Sequence, residues 1–526
     1  MKKITFYLPF VLLAVTLAFT GCSGSKGKSE SKTPTGTTID PLLFPEDNYT
    51  IQTKTVTTSK GVIEVTYRFY EHITYVANPI DAKYQSMNVS VPIKINGINV
   101  DATRAPILFD INVGGYMSSI AGVGMAGPPP GAEVPPGGGP STGGPPPGMT
   151  PPSNPNPDLA LAAGYVVVSP GCRGRDNQAA DGTYYGKAPA AIVDLKCAVK
   201  YIRHNDNIMP GDANRIIATG GSAGGALSAL LGASGNSNPY DSYFKELGAA
   251  SASDNIFAAA PYCAITDLEH ADMAYEWMYG NVPISPGVQI PGAEPPAPGL
   301  VDQTLSQQLK DAFKEYQASL NLKGKDDFGT ITADNYADYL IKYYLIPSAN
   351  KFLSSKTESE RTEYLAKNPW ITWSNGTASF TFADYVSHVG RMKGLPAFDD
   401  FEMKMAEPIL FGNKTTNARH FTNFSLRHAT GNPEAEIDDE VKTLVNLMNP
   451  MYFIRQKNPG CADYWWIRSG TCDNHSSLPV WINLATSLEN LGKNVNTWLY
   501  WDAGHGANED AEDFINWIGE ITGYKK

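Results

Sequence analysis

Arg215-Ile-Ile-Ala-Thr-Gly-Gly-Ser222-Ala-Gly-Gly-Ala-Leu-Ser-Ala-Leu-Leu231 is the stretch whose reading decides the fold. Its first five residues form an apolar strand. Gly224 to Leu231 are small and leucine-rich enough for a tightly packed helix, and between them lies a G-x-S-x-G frame. In a chain of 526 residues with 49 glycines that frame alone is weak; the strand before it and the helix after it give it meaning. A nucleophile at a strand-to-helix turn needs small neighbours, because the backbone there is strained and other chain passes close by. Ser222 also falls at a helix N-terminus, where N–H groups and the helix dipole favour a developing oxyanion. Ser222 is therefore the candidate nucleophile, and Ala223 the first oxyanion N–H.

On either side the pattern alternates. Upstream, Ala105-Pro-Ile-Leu-Phe-Asp-Ile and Gly164-Tyr-Val-Val-Val-Ser-Pro read as buried strands, and Ala188 to Arg203 has helical spacing. Downstream, Phe257-Ala-Ala-Ala-Pro-Tyr-Cys-Ala-Ile is a further strand. Strand, helix, strand, helix specifies a parallel sheet with helices on its faces. Before it, residues 49–100 alternate polar and apolar like antiparallel strands. After Ile265 the pattern is helical or irregular for about 185 residues, far beyond loop norms. Sheet pattern then returns at Tyr464-Trp-Trp-Ile-Arg and Val495-Asn-Thr-Trp-Leu-Tyr-Trp, with a helix at about Pro479 to Leu491 and another from about Glu509. The expected fold is α/β, a mostly parallel hydrolase-type core with a large, mainly helical cap inserted between two of its strands.

Histidine and carboxylate should follow the serine in chain order in such a core. His505, in Trp501-Asp-Ala-Gly-His-Gly506, lies just past the last predicted strand, where the base belongs. Asp473 lies just past the preceding strand, where the orienting carboxylate belongs; Asp502 is too near His505 along the chain. Gly114-Gly115 ends an earlier strand, and Gly115 is the candidate for the second oxyanion N–H. This chemistry requires no metal or organic cofactor.

The ends and the composition bound the rest. Lys2-Lys3, an apolar run from Ile4 to Phe19, and Phe19-Thr-Gly-Cys22 resemble a bacterial lipobox, with Cys22 lipidated. The expected organisation is a signal peptide over 1–21, a flexible tether over 22–45, core over 46–265 with a mobile Pro/Gly-rich loop at 122–157, cap over 266–448, and core again over 449–526. Lipid on Cys22 would hold the chain on a membrane of the bacterial envelope; the sequence does not say which. No later stretch has the roughly twenty apolar residues of a span. A formal charge of −12 and pI near 5.2 argue against nucleic acid as a partner. Of six cysteines, Cys461 and Cys472 could close a short loop in an oxidising compartment, or remain unpaired. The oligomeric state is not legible.

Together these residues resemble the bacterial subtype-B tannases, esterases that hydrolyse galloyl esters. The resemblance runs from about Tyr67 to the C-terminus. It is carried by Val113-Gly-Gly-Tyr, Gly171-Cys-Arg-Gly-Arg, Pro210-Gly-Asp-Ala-Asn-Arg-Ile-Ile, Gly221-Ser-Ala-Gly-Gly, Asp267-Leu-Glu-His-Ala-Asp-Met-Ala-Tyr-Glu-Trp, Arg391-Met-Lys and Leu410-Phe-Gly. It implies the triad Ser222, Asp473 and His505, and small phenolic esters as substrates. It also implies contacts from Lys393 and Glu407 to the phenolic hydroxyls of a galloyl ring. The family's third ring contact is an Asp; here that position holds His475, a neutral donor and acceptor in place of a carboxylate. Rival readings are a feruloyl-type esterase, a serine peptidase of the prolyl oligopeptidase type, and a surface lipoprotein that binds ligand without turnover.

Overall fold

The computed structural model of the chain describes residues 40–122, 124–125, 154–288 and 294–524. The signal peptide, Cys22, most of the tether and most of the Pro/Gly-rich segment therefore lie outside the described residues. From Pro41 onward the chain forms one compact unit.

Three strands at one edge are antiparallel: β1 (Thr50–Thr58), β2 (Gly61–Thr74) and β3 (Ser86–Ile95). A short pairing at Ile98–Asn99 extends β3. Next come β4 (Ile107–Ile111), helix α1 (Asn156–Ala162), β5 (Val166–Pro170), α2 (Ala190–His204), β6 (Ile216–Gly221), α3 (Ala223–Ala233) and β7 (Ala258–Tyr262). After the insertion follow β8 (Tyr464–Gly470), α7 (Leu478–Asn490), β9 (Asn494–Tyr500) and α8 (Ala511–Thr522), α4 to α6 belonging to the insertion. The sheet order is β1-β2-β3-β5-β4-β6-β7-β8-β9. The pairs from β5 to β9 are parallel, and β3 joins β5 antiparallel.

Strand β4 is buried at every residue, as is β6 up to Gly221, as expected for a sheet covered on both faces. Alternate residues serve opposite layers. Ile107, Phe109, Ile216 and Ala218 face the cluster that contains α2, α3 and α7. Leu108, Val167 and Ile217 face the smaller cluster of α1 and α8. The larger cluster continues without a break into Tyr336, Tyr339 and Phe398 of the insertion.

Between β7 and β8 the chain is mainly helical, and three of its helices bear on the site: α4 (Leu268–Tyr279), α5 (Phe382–Val389) and α6 (Ala406–Leu410). The insertion also carries a small hairpin, Thr372–Ser374 with Thr377–Ser379. Helix α1 begins at Asn156, inside the segment assigned to the loop, because Asn154 and Asn156 are fixed by polar contacts: Asn154 Nδ2 donates to Asp110 Oδ1 at 2.9 Å, and Asn508 Nδ2 to Asn156 Oδ1 at 3.0 Å.

Candidate active site

Parallel strands β4, β6, β7, β8 and β9 all deliver their C-terminal ends to one edge of the sheet, where open α/β sheets carry their sites. The loops there hold Gly114-Gly115, Ser222, Cys263, Asp473 and His505.

Ser222 has φ 58° and ψ −122°, a strained backbone for a residue with a side chain. The surrounding glycines make that turn possible. A Cβ on Gly220 would sit 2.6 Å from the Gly224 carbonyl oxygen, one on Gly224 2.7 Å from that of Ile111, and one on Gly225 2.4 Å from that of Tyr262. The Ser222 N–H donates to Tyr262 O at 3.0 Å and approaches Cys263 Sγ at 3.3 Å. Gly224 N–H donates to Val113 O at 2.8 Å, which ties the start of α3 to the loop after β4. In that loop Gly115 and Tyr116 have φ 53° and 56°. Arg175 Nε holds the Gly115 carbonyl at 2.7 Å.

His505 Nδ1 lies 2.9 Å from Asp473 Oδ2. The same oxygen accepts Ser469 Oγ at 3.3 Å, and Oδ1 accepts the His475 N–H at 3.1 Å. Asp473 is buried at 2% exposure, so the pairing is formed away from water. Burial works against the His505 cation, but the Asp473 charge and hydrogen bond, together with Cys263, outweigh it and raise the pKa well above the ordinary histidine value. Cys263 links the pair to the serine: ligand atoms of Cys263, Asp473 and His505 lie within 4.8 Å of one another. No Ser222 Oγ to His505 hydrogen bond is formed in this conformation; such contacts commonly tighten only around substrate.

His475 stacks on His505, ring centroids 4.0 Å apart and planes 6° from parallel. Burial first, then the facing His505 and Lys393, push its pKa down to about 3. It is a neutral imidazole at physiological pH.

Lys393 and Glu407 come from the insertion. Lys393 is buried, with Nζ 3.5 Å from the centroid of Phe398. Burial drives its pKa down, against Glu407, Asp272 and Asp473. Glu407, at the start of α6, is buried as well, and its Oε2 has no hydrogen-bond partner among the described residues. Burial drives its pKa up, against Lys393 and Arg175. A buried carboxylate oxygen without a donor is costly unless a ligand supplies one.

Three residues that sequence reasoning left without roles hold this arrangement. Arg391 pairs with Glu276 of α4 inside the protein and donates to the carbonyls of Lys393 and Gly394 at 2.8 and 2.7 Å. The Tyr275 hydroxyl accepts the N–H groups of Met392 and Lys393 and donates to Asn474 O at 3.0 Å, joining the lysine loop to the aspartate loop. Arg175 supports Gly115. Each lies in a motif that carried the family resemblance, which was the available signal. Cys461 and Cys472 are both unpaired.

Sheet order, the nucleophile turn and the chain order of Ser222, Asp473 and His505 define an α/β-hydrolase. Among known proteins, residues 156–286 match the family described as BD-FAE. Esterase LipQ of Mycobacterium tuberculosis is 40% identical over 90 residues, 17% of this chain and 20% of that protein, so the match spans a fifth of its length. Fusobacterium nucleatum tannase is 36% identical, with a TM-score of 0.74, over 91% of this chain and 99% of that one. Tannin acyl hydrolase structures in complex with ethyl gallate and with 3,4-dihydroxybenzoate are 32% identical over the same shares, also at 0.74. The chain belongs to the tannase family of carboxylic ester hydrolases.

Proposed function

We propose that this chain hydrolyses galloyl or closely related phenolic-acid esters through an acyl-enzyme on Ser222. The observation that carries the reading is the buried Asp473–His505 pair, set next to the strained Ser222 turn through Cys263. The ester carbonyl lies against Ser222 Oγ with its oxygen toward the N–H groups of Gly115 and Ala223. His505 takes the serine proton, Asp473 fixes its tautomer and stabilises the imidazolium, and the alcohol leaves with the proton from His505. Water then repeats the sequence on the acyl-enzyme.

Lys393 and Glu407 hold the ring hydroxyls; the partnerless Glu407 Oε2 and the Lys393 ammonium supply an acceptor and a donor. A phenolic hydroxyl can give a hydrogen bond to one and receive one from the other. His475 borders this space in place of a third acceptor. Hydrolysis of methyl gallate, methyl protocatechuate and methyl ferulate tests the acyl class. Gallate or protocatechuate turnover is expected to exceed ferulate, and ferulate turnover alone would move the chain to the feruloyl esterases.

From the Phe19-Thr-Gly-Cys22 motif we also propose export and lipid attachment at Cys22. Detergent-phase partitioning that persists in Cys22→Ala would contradict it.

A further inference from the structure

A second group of reactive side chains lies where the insertion meets the core. His388 ends α5, Cys472 precedes Asp473, and Asp502 lies between β9 and His505. Two atoms of this group converge on one oxygen: His388 Nε2 is 2.7 Å and Cys472 Sγ 3.1 Å from Asp502 Oδ1. The three donor atoms lie within 4.8 Å of one another. Tyr364 holds the other Asp502 oxygen at 3.0 Å and is itself held by Trp501 Nε1 at 2.9 Å. The Asp502 N–H donates to Thr471 Oγ1 at 2.7 Å, and the Trp370 ring lies 4.9 Å from that of His388. The His388 and Asp502 side chains are 25% and 29% exposed, so a solute ion reaches them without unfolding.

We propose that Cys472, His388 and Asp502 bind a divalent ion of the zinc class, with the fourth position left to water. One sulfur, one imidazole nitrogen and one carboxylate oxygen suit a borderline-soft ion and are wrong for magnesium or calcium, which take oxygen. Zinc bonds of about 2.0–2.3 Å require tetrahedral donors roughly 3.3–3.7 Å apart. The His388 Nε2–Asp502 Oδ1 and Cys472 Sγ–Asp502 Oδ1 separations meet that with outward shifts of about half an ångström. On binding, Cys472 releases its thiol proton to solvent and coordinates as thiolate. His388 coordinates through Nε2, with its ring proton on Nδ1, and Asp502 coordinates as carboxylate. Tyr364 supplies the outer hydrogen bond that fixes the carboxylate. The ion would join α5 to the loops that carry Asp473 and His505, and it takes no part in the hydrolytic step.

Cys263, Asp473 and His505 form a second triplet of donor atoms. There the carboxylate is buried and its bond to the histidine belongs to the proposed hydrolytic machinery, whereas the His388 and Asp502 side chains are partly exposed and outside it.

The test uses the chelator-dialysed full chain, titrated with Zn2+ against a chromophoric chelator and with Co2+ for thiolate-to-metal absorption. One equivalent should bind, with Co2+–thiolate absorption and a higher Tm in Zn2+. Cys472→Ser and His388→Ala should each weaken Zn2+ by more than the roughly 10–100-fold that loss of an outer-shell partner costs, while Cys263→Ser should bind as the parent does. His388 is partly exposed, so its replacement tests the site without disturbing a buried position. No Zn2+ bound at micromolar concentration, binding that survives Cys472→Ser, or binding lost only in Cys263→Ser would each overturn the proposal.

Discussion

Two imidazoles lie face to face at this site, and the proposed base is the one tied to Asp473. His505 is tied to Asp473 at 2.9 Å and has its pKa raised, whereas His475 is held neutral, with its pKa pushed down to about 3. The neutral ring stacked on His505 adds no charge to it. Replacing His475 by Asp would set a carboxylate there, stabilise the His505 cation, and move the acid limb of kcat/KM to higher pH. The sign follows because His505 must lose its proton to act, so a higher pKa leaves less free base at a given pH. The expected shift is about one unit, read from pH profiles on methyl gallate; a limb that stays or moves down would contradict the stacking account. At this scale the sequence disclosed chemistry unevenly. Ser222, Asp473 and His505 were legible because each follows a recognisable strand. The stacking of His475 and the place of Cys263 were not, since both depend on how separate loops meet.

The nucleophile turn works as an element because α3 can start hard against β7. Gly225→Ala would drive a Cβ to 2.4 Å from the Tyr262 carbonyl oxygen, which is backbone and cannot swing aside. We expect a loss of roughly 1–3 kcal/mol in urea unfolding; an unchanged midpoint would show that the turn is looser than described. In the insertion, Arg391→Ala leaves Glu276 as a buried charge without its partner and frees the carbonyls of Lys393 and Gly394. It should cost about 3–5 kcal/mol and raise KM for methyl gallate more than it lowers kcat. A fall in kcat with KM unchanged would remove Lys393 from ring binding. The core strands were legible as apolar runs and α3 as a run of small and leucine residues after one of them. The Glu276–Arg391 pair joins residues 115 positions apart, and no local pattern announces such a contact. The start of α1 at Asn156 was likewise hidden, because polar contacts from Asn154 and Asn156 to distant residues fix it.

For the whole molecule, the order β5-β4-β6-β7-β8-β9 brings five loops to one edge, and the insertion between β7 and β8 supplies Lys393 and Glu407 to the same place. Alternating strand and helix patterns made the core and the position of the insertion legible. The packing of the insertion was not, because its apolar residues join the main core cluster and no local pattern says which part of that core each helix meets. The substrate class was legible only through family resemblance, since a fold of this kind serves many chemistries. The proposed chemistry requires that a single serine turns over a phenolic ester. It is tested most directly by methyl gallate hydrolysis with the parent chain and Ser222→Ala side by side. Turnover is expected in the parent and a loss on the order of 10⁴–10⁶-fold in the variant, with the fold unchanged by circular dichroism. Turnover that persists in Ser222→Ala, or a folded parent that hydrolyses none of the phenolic esters, would contradict it.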